Sequence, residues 1–152
     1  MATYTYTIDI TAPREKVWDI MLSDASYREW TSVFQEGSYY EGTWEAGSEM
    51  LFLAKGADGL SGMASRIVEN KPYEYVSIEN YGVYSNGTID TTSDYAKQWA
   101  DSHENYTFTE NDGVTTVRVD LESDALSGDE VIEMFDGMWP PALQKLKELC
   151  EA

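Results

Sequence analysis

The sequence has one cysteine, Cys150, and one histidine, His103, in 152 residues. A lone cysteine excludes an intrachain disulfide, and the default setting is a reduced, cytoplasmic one. With one histidine, His-x-x-x-His and His-Glu-x-x-His zinc spacings cannot occur, and Cys-x-x-Cys is excluded in the same way. Basic residues are scarce, 10 against 28 acidic ones, for a formal net charge of −18. A surface this negative repels phosphate backbones, so nucleic acid and anionic membrane are excluded as partners. No apolar run reaches the ~18 residues of a membrane span, and no basic leader followed by an apolar stretch opens the chain. A Gly-x-Ser-x-Gly elbow is missing. Gly56, Gly59 and Gly62 are spaced three apart, which is not a phosphate-cradling fingerprint; they read as hairpin glycines. Asn86-Gly-Thr88 and Asn105-Tyr-Thr107 match the glycosylation pattern, but without a leader they are chance matches. Nothing here calls for a metal or a cofactor.

What is present is apolar periodicity. Thr3 to Ile10 alternates, with Tyr4, Tyr6, Ile8 and Ile10 on one face, as a half-buried strand does. Pro13 suits a first helical turn. Val17, Trp18, Met21 and Leu22 form the stripe of a short helix, and Asp24 can cap a second one carrying Tyr27, Trp30 and Phe34. Strands are predicted over Tyr39–Trp44, Glu49–Lys55, Gly62–Glu69 and Tyr73–Tyr81, separated by turn signals. Gly82–Ser102 reads as a long polar connection holding a small helix, Ser93–Ala100, with Tyr95, Ala96 and Trp99. A connection of that length has a job or is mobile. Glu104–Glu110 and Val114–Glu122 form the clearest hairpin, joined by Asn111-Asp-Gly113.

The last stretch, Ser127 to Cys150, carries Val131, Phe135, Met138, Ala142, Leu146 and Leu149 at helical spacing, widened by Ile132, Met134, Trp139 and Leu143. Ser127-Gly-Asp-Glu130 reads as a capping box. Pro140 and Pro141 remove two N–H donors, which predicts a kink or break near Gly137–Pro141. Hairpin-linked strands with helices segregated at two points indicate one α+β domain, residues 1–152, with an antiparallel sheet that the last helix covers.

Ile10-Thr-Ala-Pro-Arg-Glu-Lys-Val-Trp18, Gly62-Met-Ala-Ser-Arg-Ile-Val-Glu-Asn-Lys-Pro72, Glu104-Asn-Tyr-Thr-Phe-Thr-Glu110 and Trp139-Pro-Pro-Ala-Leu-Gln-Lys-Leu146 occur in that order. In these segments the chain resembles the START / birch-pollen-allergen-like (SRPBCC) superfamily, most closely the bacterial branch related to the activator of the heat-shock protein 90 ATPase. The resemblance implies a helix-grip fold, in which a curved antiparallel sheet of about seven strands wraps the long C-terminal helix. It also implies two short helices after the first strand and a cavity between sheet and helix that takes an apolar small molecule. The superfamily has no shared catalytic motif, so no catalytic residue carries over, and function does not follow from fold.

The candidate cavity residues are Trp30, Phe34, Phe52, Met63, Trp99, His103, Glu104, Tyr106, Phe108, Met134, Met138 and Trp139. Met and polar-tipped aromatics suit a bulky, partly apolar ligand. Glu104 shares strand parity with Tyr106 and Phe108; it is either a solvated strand end or an inward carboxyl, and among aromatics an inward one has a raised pKa and can act as acid or base. His103 precedes that strand, either as an exposed or hydrogen-bonded loop residue or as a polar group at a cavity mouth able to act near neutral pH. Arg66 is expected on the outer face beside acidic neighbours, and Cys150, near the last turn of the helix, either to pack in the core or to fray rather than to react. Three functions compete. The first is binding of a small apolar or aromatic molecule. The second is a co-chaperone-like interaction with a chaperone partner, and the third a cyclase- or hydrolase-type reaction using cavity carboxylate and Tyr groups.

Overall fold

The Tyr/Thr alternation folds as strand β1 (Ala2–Ile10), with Thr3, Thr5, Thr7 and Asp9 exposed and Tyr4, Tyr6, Ile8 and Ile10 turned toward the core. The computed structural model describes residues 2–56, 59–123 and 129–152, without the side chains of Ala2 and Glu130. Helices α1 (Arg14–Leu22) and α2 (Asp24–Trp30) follow, extended by a 3₁₀ turn, Thr31–Val33. Asp24 is the first helical residue rather than the cap, which is Ser23, and its carboxylate takes Arg28 at 3.1 Å. Strands β2 (Tyr39–Gly42), β3 (Glu49–Gly56), β4 (Gly59–Lys71) and β5 (Tyr75–Ser85) come next. After them lie β6 (Thr88–Asp90), helix α3 (Asp94–Trp99), β7 (His103–Asn111), β8 (Val114–Ser123) and helix α4 (Asp129–Glu151).

The sheet runs β1-β8-β7-β5-β4-β3-β2, and each pairing among the described residues is antiparallel. It is the helix-grip arrangement of an α+β fold. Two register shifts between β4 and β5, at Ala64/Ser65 and Ile67/Glu69, add local bend and twist. The stretch expected as a long connection is largely structured. Asn86 and Gly87 both adopt left-handed φ, 47° and 92°, so β5 continues to Ser85 and turns tightly into β6. Strand β5 thus pairs with β7 over Tyr75–Glu79 and with β6 over Val83–Ser85, and the interval between them is where α3 attaches. Asn80 N–H donates to Ser102 O and Asp101 N–H to Asn80 O, at 2.9 and 3.0 Å. Gly62 is not a turn glycine. It sits inside β4 opposite Leu53, and a Cβ there would lie 1.8 Å from Phe52 O, so only glycine permits this approach of β3 and β4.

Helix α4 runs 23 residues without a break, through both prolines; at about 1.5 Å per residue that is about 34 Å. The expected break does not occur, for a reason of placement. Asp136, Gly137, Pro140 and Pro141 all lie on the exposed side. The two carbonyls that lose a donor therefore face water, which takes over the hydrogen bonds. The Ser127 end of the expected capping box lies outside the described residues. The stripe buries Phe135, Trp139, Ala142, Leu143, Leu146 and Cys150. Of those expected to widen it, Met134 is 40% exposed because it falls on its flank, and Ile132, in line with Cys150 but in the first turn of α4, is 41% exposed. Burial pushes the Cys150 thiol up to about 11, in keeping with a packing role. Three polar ties fasten α4 to β1 and the residue after it. Tyr6 Oη donates to Asp136 Oδ1 at 2.6 Å, Lys147 Nζ to Asp9 O at 2.9 Å, and Thr11 N–H to Glu151 Oε2 at 2.8 Å.

Gly137 offers a direct test of this helix. A Cβ there would meet nothing within 4 Å. Gly137→Ala is expected to raise unfolding free energy by about 0.5–1 kcal/mol, by removing the entropic penalty of glycine in a helix. Urea denaturation measures it, and a loss of stability would mean that α4 bends at this point in a way alanine cannot follow.

Candidate ligand cavity

Between α4 and the sheet lies a cavity of about 290 Å³. The sheet side is built from strand-inward residues: Tyr4 of β1, Phe52 of β3, Met63 of β4, Glu104 and Tyr106 of β7, and Leu121 of β8. Helix α4 supplies Met134, Phe135, Met138 and Trp139, and the α2 region supplies Tyr27 and Phe34. Asn80, Trp99, Ser102, His103, Glu122 and Ser123 line it where β7 begins and β8 ends. The 40% exposed Met134 borders it, so the cavity reaches the surface beside the first turns of α4.

The helix pair closes one side through aromatic contacts. Tyr27 stands edge-on to Trp30 (5.4 Å between centroids) and to Tyr40 (4.9 Å), while Phe34 stands edge-on to Trp139 at 4.9 Å. Tyr40 Oη and Trp44 Nε1 both donate to Leu22 O, at 2.7 and 2.9 Å, which ties β2 and its following turn to the end of α1. At the α3 end, Ser65 Oγ donates to Asn80 Oδ1 (2.5 Å) and Asn80 Nδ2 to Ser102 Oγ (2.9 Å), whose own hydroxyl donates to Trp99 O (2.6 Å). This chain holds Trp99 against the sheet.

Glu104, half-buried, is the carboxyl that β7 sets into this wall between Tyr106 and the strand's start. Burial raises it from 4.5 to about 7, against the opposing effect of the hydrogen bond donated by Tyr106. Burial, then the neighbouring Glu104 charge, holds the Tyr106 and Tyr27 hydroxyls well above the usual phenol range, so both remain hydrogen-bond donors at neutral pH. His103 begins β7 itself, half-buried, with Nε2 3.6 Å from Glu79 Oε2. Arg66 lies outside, its Nε 3.7 Å from Glu79 and its guanidinium 4.7 Å from the Tyr81 ring centre. Among the described residues, no group of three or more His, Cys, Asp or Glu is placed to hold a metal ion.

Of the sequence candidates, Phe34, Phe52, Met63, Trp99, His103, Glu104, Tyr106, Met134, Met138 and Trp139 line this cavity. Trp30 and Phe108 do not. Trp30 is fully buried behind the wall, its indole N–H donating to Met21 O at 2.9 Å, and Phe108 packs edge-on under Trp18 at 5.1 Å. Sequence reasoning passed over Tyr4, Tyr27, Leu121 and Phe135 as lining, although their strand and helix periodicity already turned them inward. For Asn80, Ser102, Glu122 and Ser123 no periodic signal exists, since long-range hydrogen bonds and strand ends place them.

The sequence matches the family described as Activator of Hsp90 ATPase homolog 1-like protein over residues 11–151. No curated protein is significantly similar to the chain. Among solved structures, protein MLL2253 from Mesorhizobium loti superposes with a TM-score of 0.71 at 16% identity, covering 97% of this chain and 96% of that one. The Aha1 dimer from Colwellia psychrerythraea gives 0.71 at 17% identity, covering 99% and 97%. CalU16 from Micromonospora echinospora gives 0.66 at 16%, covering 97% and 75%. At these identities the structures share the fold alone. Among the described residues no helix is long and apolar enough to cross a membrane. With its family match running from the end of β1 to the end of α4, the chain belongs to the Activator of Hsp90 ATPase homolog 1-like protein family of the SRPBCC superfamily.

Proposed function

We propose that this protein binds a small apolar or aromatic molecule in the cavity between its sheet and α4. The observation that carries this reading is a space of about 290 Å³ walled by Tyr, Trp, Phe and Met, with a few polar groups set at defined points. Small-molecule pockets of about 300–1,000 Å³ have this composition. The size is at the low end of that range, which suits a ligand of about two fused rings better than a long-chain lipid. The reduced, cytoplasmic setting proposed from the lone buried Cys150 fits such a role.

Titration with naphthol-sized aromatics, followed by tryptophan fluorescence and amide chemical shifts, tests the reading. Saturable binding with shifts at Trp139, Tyr106 and Phe52 is expected. If a broad panel leaves these signals in place at millimolar concentration, the cavity is no ligand site.

A further inference from the structure

We propose that the cavity selects a cationic ligand, an aromatic amine whose ammonium group is held by Glu104. This rests on the cavity being a ligand site, and adds the chemical class. The first observation is a charge census. Among the described residues no Lys or Arg lines the cavity, whereas two carboxylates, Glu104 and Glu122, do. A ligand carboxylate or phosphate buried here would meet like charge in a low-dielectric space, and the one lining side chain able to carry positive charge, His103, already has Glu79 at 3.6 Å. Fatty acids and phosphorylated molecules are thereby disfavoured.

The second observation is the state of Glu104 itself. Its hydrogen bond comes from Tyr106, and among the described residues no cationic side chain contributes to its shift. The rest of the carboxylate is left toward the cavity, with accepting capacity for two or more N–H donors. An ionised carboxylate taken out of water is costly unless it is paired; a ligand ammonium supplies the missing partner through charge-assisted hydrogen bonds. The third is the wall. Tyr27, Phe34, Phe52, Tyr106 and Trp139 present ring surfaces, and a cation is attracted to aromatic faces, most strongly when desolvated.

The groups around Glu104 leave few other titrations to confuse the reading. Its strand neighbours are Leu121 on β8 and Ile78 on β5, and the α4 residues lining the cavity carry no charge. Tyr106 on β7 and Tyr27 from α2 stay protonated near neutral pH. Glu122 and His103 lie at the end of the same two strands. Since Glu104 is about half protonated at pH 7, capture of an ammonium should complete its ionisation. About half a proton is then released to solvent for each ligand bound.

The test uses three probes of one shape, naphthylmethylamine, naphthylmethanol and naphthoate. They are titrated calorimetrically at pH 7 in about 0.5 M salt, where the field of the net charge is screened to about 4 Å. The amine should bind about tenfold to hundredfold more tightly than the alcohol, with naphthoate weakest. Glu104→Gln keeps the shape and should bring the amine to within about threefold of the alcohol measured on the same variant. The dependence of the amine's binding heat on buffer ionisation should report the released proton, and the alcohol should show none. If the alcohol binds and the amine binds no better, or if the amine's advantage survives Glu104→Gln, the amine assignment is overturned and the cavity remains a site for neutral ligands. If none of the three binds, the ligand reading falls, and the assignment with it.

Discussion

Trp139→Ala is expected to lower the free energy of unfolding by about 3–5 kcal/mol, the range for truncating a large aromatic in a packed core. The side chain is 3% exposed and stands where three parts of the fold meet. Its ring centre is 4.9 Å from Phe34 and 6.2 Å from both Trp30 and Tyr106. Each well-placed aromatic pair adds about 0.5–1.5 kcal/mol to the burial term. The residue couples α4 to the helix pair and to β7 at once, so neighbours cannot close the gap without moving an element. The loss should appear as a lower midpoint in urea at unchanged slope. Met138→Ala, one residue away and half-buried against the cavity, should cost much less, because its side chain already borders empty space. A loss below about 1 kcal/mol for Trp139→Ala would mean that α4 is held by its polar ties to β1 rather than by this junction. The truncated variant should also accept larger ligands, because the indole volume joins the existing cavity.

That junction shows how far the sequence could be read. Helix α4 was legible because Phe135, Ala142 and Leu146 repeat at helical spacing, and β1 because Tyr and Thr alternate. The β7–β8 turn was legible because Asp112 and Gly113 adopt left-handed φ, 52° and 79°, which Asn-Asp-Gly permits. The same chemistry at Asn86-Gly87 was visible, yet β6 was not. Its three residues carry a single large apolar side chain, Ile89, which is 44% exposed, so no alternation marks a strand held by backbone pairing alone. The continuity of α4 was hidden for a different reason. Proline spacing tells which carbonyls lose a donor but not whether they face water. The site was hidden most of all. Trp30 and Phe34 belong to the same local stripe, yet one is sealed in the core and the other faces the cavity. The difference lies in how α4 crosses the helix pair, which no local pattern encodes. Asn80 is the extreme case, a polar residue whose place depends on Ser65 and Ser102, both distant in the chain.

Glu104→Gln should remove a pH dependence of stability that the wild-type protein carries between about pH 4.5 and pH 7. The carboxyl titrates near 4.5 when unfolded and near 7 when folded, raised mainly by burial. Below the lower value both states hold the proton, and Glu104 adds no pH dependence. As pH rises through the window the unfolded chain gives up its proton while the folded one keeps it, so stability falls with rising pH. Above about pH 7 both are ionised and the fall is complete, at about 1.4 kcal/mol per pH unit or about 3 kcal/mol in total. Glutamine has no such proton, so the variant should gain on the wild type progressively from pH 4.5 and stand about 3 kcal/mol above its acid-side difference by pH 8. The other 27 acidic groups titrate in both proteins, since 28 less Glu104 remain, and the difference between the two unfolding curves isolates this carboxyl. Tyr106→Phe gives an independent check of sign. The Tyr106 hydrogen bond holds the Glu104 value down, so its loss should move the midpoint of the carboxyl, followed by carbon-13 NMR, further above 7. A wild-type-minus-Gln difference that stays flat from pH 4 to pH 8 would show that water reaches Glu104 freely, and the charge on which the cavity's selectivity depends would then be an ordinary surface one.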